Sequence, residues 1–209
     1  MLTSISLPEH PALLGAYSIT WTTGMPPLEI LSITEQGFLQ TLSAPPRQQS
    51  FAWGRWLVRA SLSRHAAIPP SAWNITPPGN GRPAILAPTL QEPLFFSLSH
   101  CKHRAVCAVA TTPFIGIDIE DTHRSVRIAA VARRLFTPDE QALLNTAPEK
   151  RGLFFLLWTK RESIAKAFGI NIWNTGHTLP FNQPLGCDFY SIKLENRYQL
   201  TLCIKMPEK

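Results

Sequence analysis

The sequence predicts an α+β fold in which each half combines antiparallel strands with a long helix. Three observations predict it. Residues 47–65 and 149–168 carry apolar side chains at helical spacing. Two pairs of short runs flank turn residues, 94–98 with 105–110 and 189–194 with 198–204. Pro113 stands between the first pair and the next strand, 115–120, so the halves are expected at residues 1–112 and 113–209.

In chain order, the first 45 residues are apolar patches cut by Pro and Gly, with strands expected at 17–21 and 37–42. The helix at 47–65 places Phe51, Leu57, Val58 and Leu62 on one side, and Pro69-Pro70 ends it. Residues 74–93, rich in Pro and Gly, read as loop with short extended pieces. A turn over 99–104 joins the next two strands. Helices are expected at 126–136 and 138–145, the second opening on the N-cap signature Thr137-Pro138-Asp139-Glu140. The helix at 149–168 stops at Gly169, and a hairpin turns over Glu195-Asn196-Arg197.

With 209 residues, 44% of them hydrophobic, and a mean hydropathy of -0.02, the chain has the composition of a soluble globular protein. No apolar run is long enough to span a membrane, and no Lys or Arg precedes position 47, so a signal peptide is not expected and the cytoplasm is the default. Cys101, Cys107, Cys187 and Cys203 show no zinc-ligand spacing and read as reduced, buried thiols. Residues 1–50 hold one basic and three acidic residues, whereas the remainder holds 19 basic and 11 acidic and is net +8. Such a body favours polyanionic partners. A nucleic-acid binder is one class that fits, but no recognised nucleic-acid motif is present.

Four short segments carry chemistry. On a strand at 115–120, Ile115, Ile117 and Ile119 face a core, while Gly116, Asp118 and Glu120 share the other face. Two carboxylates there suit a hard divalent ion such as Mg²⁺, and Gly116 leaves room for a ligand or backbone to approach. The same strand also reads as an edge showing two solvated acids. On the helix, Trp158, Glu162 and Lys166 form one stripe, separate from Leu153, Leu157, Ile164 and Phe168. A third carboxylate one turn from a cation suits a metal–pyrophosphate complex, and equally an ordinary Glu–Lys helix pair. Ser97-Leu98-Ser99-His100 ends a strand with a hydroxyl and an imidazole, and Gly79-Asn80-Gly81-Arg82-Pro83 is a turn that presents Arg82.

Together these segments resemble the Sfp-type 4′-phosphopantetheinyl transferases. That family has G-[IV]-D-x-E followed some 40 residues later by W-[ST]-x-K-E-[AS]-x-x-K, with a G-[KR]-P turn and an [NS]-[IL]-S-H strand end upstream. Here the matches are GIDIE at 116–120, WTKRESIAK at 158–166, GRP at 81–83 and SLSH at 97–100, in the same order. Gly54 to Arg59 also resembles the family's G-x-x-L-x-R stretch. The resemblance covers about residues 47–169.

The resemblance implies a pseudo-dimer of two similar halves, each a small antiparallel sheet packed with helices, with coenzyme A in the cleft between them. It implies that Asp118, Glu120 and Glu162 bind Mg²⁺, with Mn²⁺ as an alternative. Arg82, Ser99 and His100 fall at the nucleotide phosphates, Arg161 and Lys166 at the pyrophosphate, and Glu162 and Lys166 are the catalytic pair. The implied reaction transfers 4′-phosphopantetheine to a serine of an apo acyl or peptidyl carrier protein and releases 3′,5′-ADP. The implied partners are coenzyme A and a carrier whose acidic helix meets the basic body near Arg127 or Arg134, with no nucleic acid and no membrane. A monomer is the default.

Three departures from the family pattern stand out. Arg161 replaces the usual Lys, and only Arg47 precedes the first long helix, leaving Arg55 or Arg59 to compensate. The usual G-K-G-L reads Phe168-Gly169-Ile170-Asn171. The alternative they motivate is a catalytically weak paralogue that binds coenzyme A or a carrier without efficient transfer.

Overall fold

A computed structural model describes residues 2–77, 79, 81–175 and 186–206. In chain order the elements are β1 (Thr3–Ser4), β2 (Leu13–Thr20), α1 (Ile33–Thr41), α2 (Pro45–Leu62), β3 (Asn74–Ile75), β4 (Ile85–Ala87), β5 (Phe95–Cys101), β6 (Arg104–Ala110) and β7 (Ile115–Asp121). They continue as α3 (Ile128–Leu135), α4 (Pro138–Thr146), α5 (Lys150–Phe168), α6 (Ile172–Thr175), β8 (Asp188–Leu194) and β9 (Tyr198–Ile204). The mixed α+β class is as expected. One antiparallel sheet has the order β1-β2-β6-β5, a second β7-β9-β8, and β3 pairs with β4. No helix among the described residues is long and apolar enough to cross a membrane.

Every residue of β6 is buried because both of its faces are covered. Cys107 and Val109 pack with Leu57, Val58 and Leu62 of α2, while Val106, Ala108 and Ala110 pack with Ile115, Ile117 and Ile119 of β7. The three isoleucines therefore face a core, as their alternation predicts. No backbone ladder joins β5 to β7 among the described residues. Instead the Ser97 and Ser99 hydroxyls of β5 accept hydrogen bonds from the Ile117 and Ile119 amides at 3.0 and 3.4 Å. Small hydroxyls in a β-strand thus stitch one sheet to the other.

The opposite face of β7 carries α5. A Cβ on Gly116 would stand 1.9 Å from the Ser163 carbonyl oxygen and 2.6 Å from the Ala167 nitrogen. Glycine lets the helix backbone lie directly on the strand. What approaches at this position is backbone, one of the two options that its sequence left open.

Two local expectations need correction. Residues 37–41 belong to α1 and Leu42 is its C-cap, so no strand forms there. The Ser32 side chain accepts from the Glu35 amide at 3.2 Å while Glu35 Oε2 accepts from the Ser32 amide at 2.8 Å, a capping box that starts a helix. Glu35 is then fully buried and paired with Arg55 and Arg59 at 3.3 and 2.7 Å, a long-range tie that local alternation does not reveal. The turn expected over 99–104 shrinks to Lys102-His103, with Lys102 in the left-handed region at φ 43°. Ser99 and His100 consequently lie within β5 itself. The other expected helices and strands form with boundaries shifted by a few residues, and all four cysteines are free.

Gly116→Ala is expected to lower stability by about 3 kcal/mol or more, since the new methyl would overlap the backbone of α5. Urea denaturation followed by circular dichroism would read this as a fall in the midpoint, and an unchanged midpoint would refute the contact.

Candidate active site

The contact between β7 and α5 assembles a cluster of charge. Asp118 is 5% exposed. Its Oδ1 accepts from the Ser99 hydroxyl and from Lys166 Nζ, both at 2.7 Å, and Lys166 also donates to the Ile117 carbonyl at 3.1 Å. Its Oδ2 is buried without a partner among the described residues. Glu120, two residues along the same face, accepts from Arg124 at 2.7 and 3.1 Å and from the Trp158 indole at 2.8 Å. Glu162 and Lys166, one helical turn apart on α5, both line a cavity of about 540 Å³. The stripe read from the sequence is therefore real in space: Trp158 meets Glu120, and Lys166 meets Asp118.

A second cavity, of about 880 Å³, shares Gly81, Arg82, Pro83, Phe96 and Leu98 with the first. Arg47, Arg55, Arg82, His100 and Lys102 bring positive or ionisable groups to its wall, and no carboxylate lines it among the described residues. The two cavities form a cleft with an anion-attracting end and a mixed carboxylate–ammonium end.

Several sequence-predicted residues take positions other than those expected. Ser99 lies beneath Asp118 rather than on a cavity wall, and so orients a carboxylate. Arg82 reaches the cleft, but its guanidinium donates to the carbonyls of Pro113, Phe96 and Ala167, tying β5, the Pro113 connection and the end of α5 together. Arg161 is 1% exposed, pairs with Glu140 and stacks over Phe136, so it lines neither cavity. Its place on α5 faces α4, whose N-terminus presents Glu140 through the Thr137 capping box. Arg59 is likewise buried against Glu35, which leaves Arg55 but not Arg59 on the cationic wall. Asn80 of the Gly79–Pro83 turn lies outside the described residues.

Sequence reasoning missed Lys102 and Arg124. Lys102 follows the Ser-Leu-Ser-His segment by two positions, and the hairpin turn brings it back to the cavity edge and within 3.3 Å of Asp121. Arg124 stands four residues after Glu120, a spacing that meant nothing for a strand until the chain turned after Asp121. Charge in a tight turn was the available signal for both.

Electrostatics sharpen the roles. Burial, then the neighbouring Asp118, then Glu120 push the Glu162 carboxyl up to about 7, although Lys166 pulls it down. Glu120 is also raised, by burial and by Asp118, against the opposing pull of Arg124 and Trp158. The His100 ring meets solvent, yet the surrounding cleft walls lower its pKa by desolvation, ahead of the Lys166 charge and against the pull of Asp118.

Among the described residues, no three His, Cys, Asp or Glu side chains stand close enough together to enclose a metal ion. Glu120 is drawn aside by Arg124 and Trp158, and Lys166 occupies one Asp118 oxygen. The donors nevertheless fit a hard divalent cation. Asp118 Oδ2 is a buried oxygen with no partner among the described residues, and burial together with the nearby Asp118 charge raises the Glu120 and Glu162 pKa values, so added positive charge there would be favourable.

A family model described as the 4′-phosphopantetheinyl transferase superfamily matches residues 114–203. The chain is similar to the 4′-phosphopantetheinyl transferase HetI of Nostoc sp. (strain PCC 7120), 32% identical over 130 residues covering 61% of this chain and 55% of the relative. It is similar to the 4′-phosphopantetheinyl transferase Sfp of Bacillus subtilis (strain 168), 30% identical over 157 residues, 74% and 62% of the two chains. The 4′-phosphopantetheinyl transferase AcpT of Salmonella typhi is 29% identical over 139 residues, 64% and 67% of the two chains. The match thus spans 55% of HetI and 62% of Sfp, less than two thirds of either length.

The raised Glu162 carboxyl sets a pH dependence. Its folded value of about 7 lies above the ordinary 4.5, so between these values the folded state holds the extra proton and stability falls as pH rises. Glu162→Gln is expected to remove that loss. In chelator at about pH 8 the variant should be more stable than wild type by on the order of 1 kcal/mol, and the gap should close below about pH 4.5. Thermal melts across pH check this, and a gap independent of pH would refute the raised carboxyl.

Proposed function

Because this chain belongs to the 4′-phosphopantetheinyl transferase superfamily, we propose that it transfers the 4′-phosphopantetheine arm of coenzyme A to a serine of an acyl or peptidyl carrier protein, releasing 3′,5′-ADP. The observation that carries this reading is the pairing of Glu162 and Lys166 on one cavity wall, beside a second cavity whose wall is cationic. A nucleotide bearing several phosphates suits such a cleft. In this reading residues 1–112 supply the cationic wall and residues 113–209 the carboxylates.

Arg47, Arg55, His100 and Lys102 hold the nucleotide phosphates, and Arg82 braces the wall between the two cavities. Asp118, Glu120 and Glu162 would hold a Mg²⁺ or Mn²⁺ ion, with Ser99 keeping Asp118 in register. Such an ion supplies neutralisation of negative charge on the pyrophosphate oxygens. Glu162 takes the proton of the carrier serine. The serine oxygen bonds to the β-phosphorus as the bridging P–O bond to the α-phosphate breaks. Lys166 neutralises charge on the departing 3′,5′-ADP. A cytoplasmic monomer is the setting this reading adopts.

The weak-paralogue alternative loses its main support. Arg161 sits against Glu140, away from the cleft, so exchanging the family Lys for Arg does not alter the phosphate contacts. Lys102 and Arg55 add charge where the N-terminal segment is poor in bases.

The test mixes the protein with coenzyme A, Mg²⁺ and apo-carrier proteins and weighs the carriers by mass spectrometry. A gain of one phosphopantetheine is expected, with kcat reduced about 100-fold or more by Glu162→Ala. No gain on any carrier, with coenzyme A still bound, would return the weak paralogue to first place.

A further inference from the structure

We propose that Lys166 is the resting counter-ion of Asp118, and that a divalent cation arriving at Asp118 drives the Lys166 ammonium into the cavity it shares with Glu162. Cation loading and presentation of Lys166 to a phosphate are then one event. The inference rests on the reading of Asp118 as a cation ligand and adds how that site is kept before loading.

Asp118 is 5% exposed, and a carboxylate in that position needs a cation or it loses its charge. Lys166 supplies one, with its ammonium 2.7 Å from Oδ1 and 3.1 Å from the Ile117 carbonyl. The same oxygen accepts from Ser99, so Oδ1 is committed, while Oδ2 is buried with no partner among the described residues. One ammonium therefore serves a carboxylate that has capacity for more positive charge. A dication on Oδ2 and an ammonium on Oδ1 would repel each other across a single carboxyl group.

The two partners differ in their freedom to respond. Asp118 sits on β7, fixed between a core face and the backbone of α5. The Lys166 side chain is 28% exposed and lines the 540 Å³ cavity, so its flexible stem has a hydrated place to go. Its new neighbour there is Glu162, one turn back on the same helix face. Lys166 also lies in the last turn of α5, where the helix dipole favours a cation in either position. Neither of the other two acids shares a hydrogen bond with Lys166 among the described residues. Arg124 grips Glu120 through two hydrogen bonds, and Glu162 makes no hydrogen bond through its carboxylate among the described residues.

Displacement of this kind is reciprocal. Whatever weakens the Lys166–Asp118 pair favours the cation, and an anion that captures Lys166 in the cavity does so by the same factor. The device would keep the buried carboxylate paired in the unloaded protein and deliver the ammonium only once the cation is in place.

The first measurement uses the wild-type chain in metal-free buffer with a trace of an amine-acylating reagent, read by peptide mass spectrometry, with exposed Lys193 as internal reference. Adding Mn²⁺ to a level that calorimetry shows to be saturating should raise labelling of Lys166 severalfold relative to Lys193. Labelling that stays level or falls would overturn the inference. The second compares Mn²⁺ binding calorimetrically in wild type, Lys166→Met and Asp118→Asn. Lys166→Met should bind the bare ion about tenfold more tightly, equivalent to about 1.4 kcal/mol, and Asp118→Asn should lose it. Equal or weaker binding by Lys166→Met would sink the counter-ion role while leaving the cation site standing. Binding unaffected by Asp118→Asn, or absent in every protein, would remove the cation site and the inference with it.

Discussion

The missing side chain at Gly116 is the constraint on which the rest of the arrangement depends. With no Cβ there, the backbone of α5 near Ser163 and Ala167 lies directly on β7. That approach sets Glu162 and Lys166 over a strand whose next two outward residues are Asp118 and Glu120. Lys166 can then reach Asp118, and the Trp158 indole can reach Glu120. A helix held one side-chain layer farther away would carry the same residues and form none of these contacts. The dense local packing around β7 thus serves the chemistry as well as the fold.

Buried charge divides into two kinds in this molecule. Some pairs are structural and closed. Glu35 accepts from Arg59 and sits against Arg55, joining α1 to α2, and Asp121 is held by Arg197 with Lys102 alongside, its pKa well below the usual carboxylate range. Arg161 and Glu140 also tie α5 to α4, although Glu140 Oε1 and two of the Arg161 nitrogens have no hydrogen-bond partner among the described residues. The cluster at Asp118 is different because it adjoins a cavity: Asp118 Oδ2 has no partner among the described residues, and the Glu162 carboxyl on the cavity wall is raised to about 7. Incomplete neutralisation on the rim of a cavity is where a ligand has something to add.

The long amphipathic helices and the paired strands were readable because their periodicities are local properties of the chain. The isoleucine face of β7 and the Trp158–Glu162–Lys166 stripe were readable for the same reason. Residues 37–42 were misread because alternation over six residues cannot compete with a capping box at Ser32 and a buried Glu35 whose partners lie some twenty residues away. Arg161 was expected at the pyrophosphate through the resemblance alone, because it stands where the family has Lys. On a helix, adjacent residues diverge by about 100 degrees, and Glu140 claimed the side that Arg161 faces.

By itself the sequence determined which residue types could do the chemistry and on which element each would ride. Spacing on one strand or one helix fixes relative orientation without reference to anything else. Tertiary structure alone decided which charges meet. Asp118 finds Ser99 from β5 and Lys166 from α5, Arg82 gives its donors to three carbonyls on separate segments, and Lys102 joins Arg47 and Arg55 at one cavity. Those meetings depend on the packing of elements far apart in the chain, because electrostatic and hydrogen-bond partners are chosen by distance in space and not by distance in sequence.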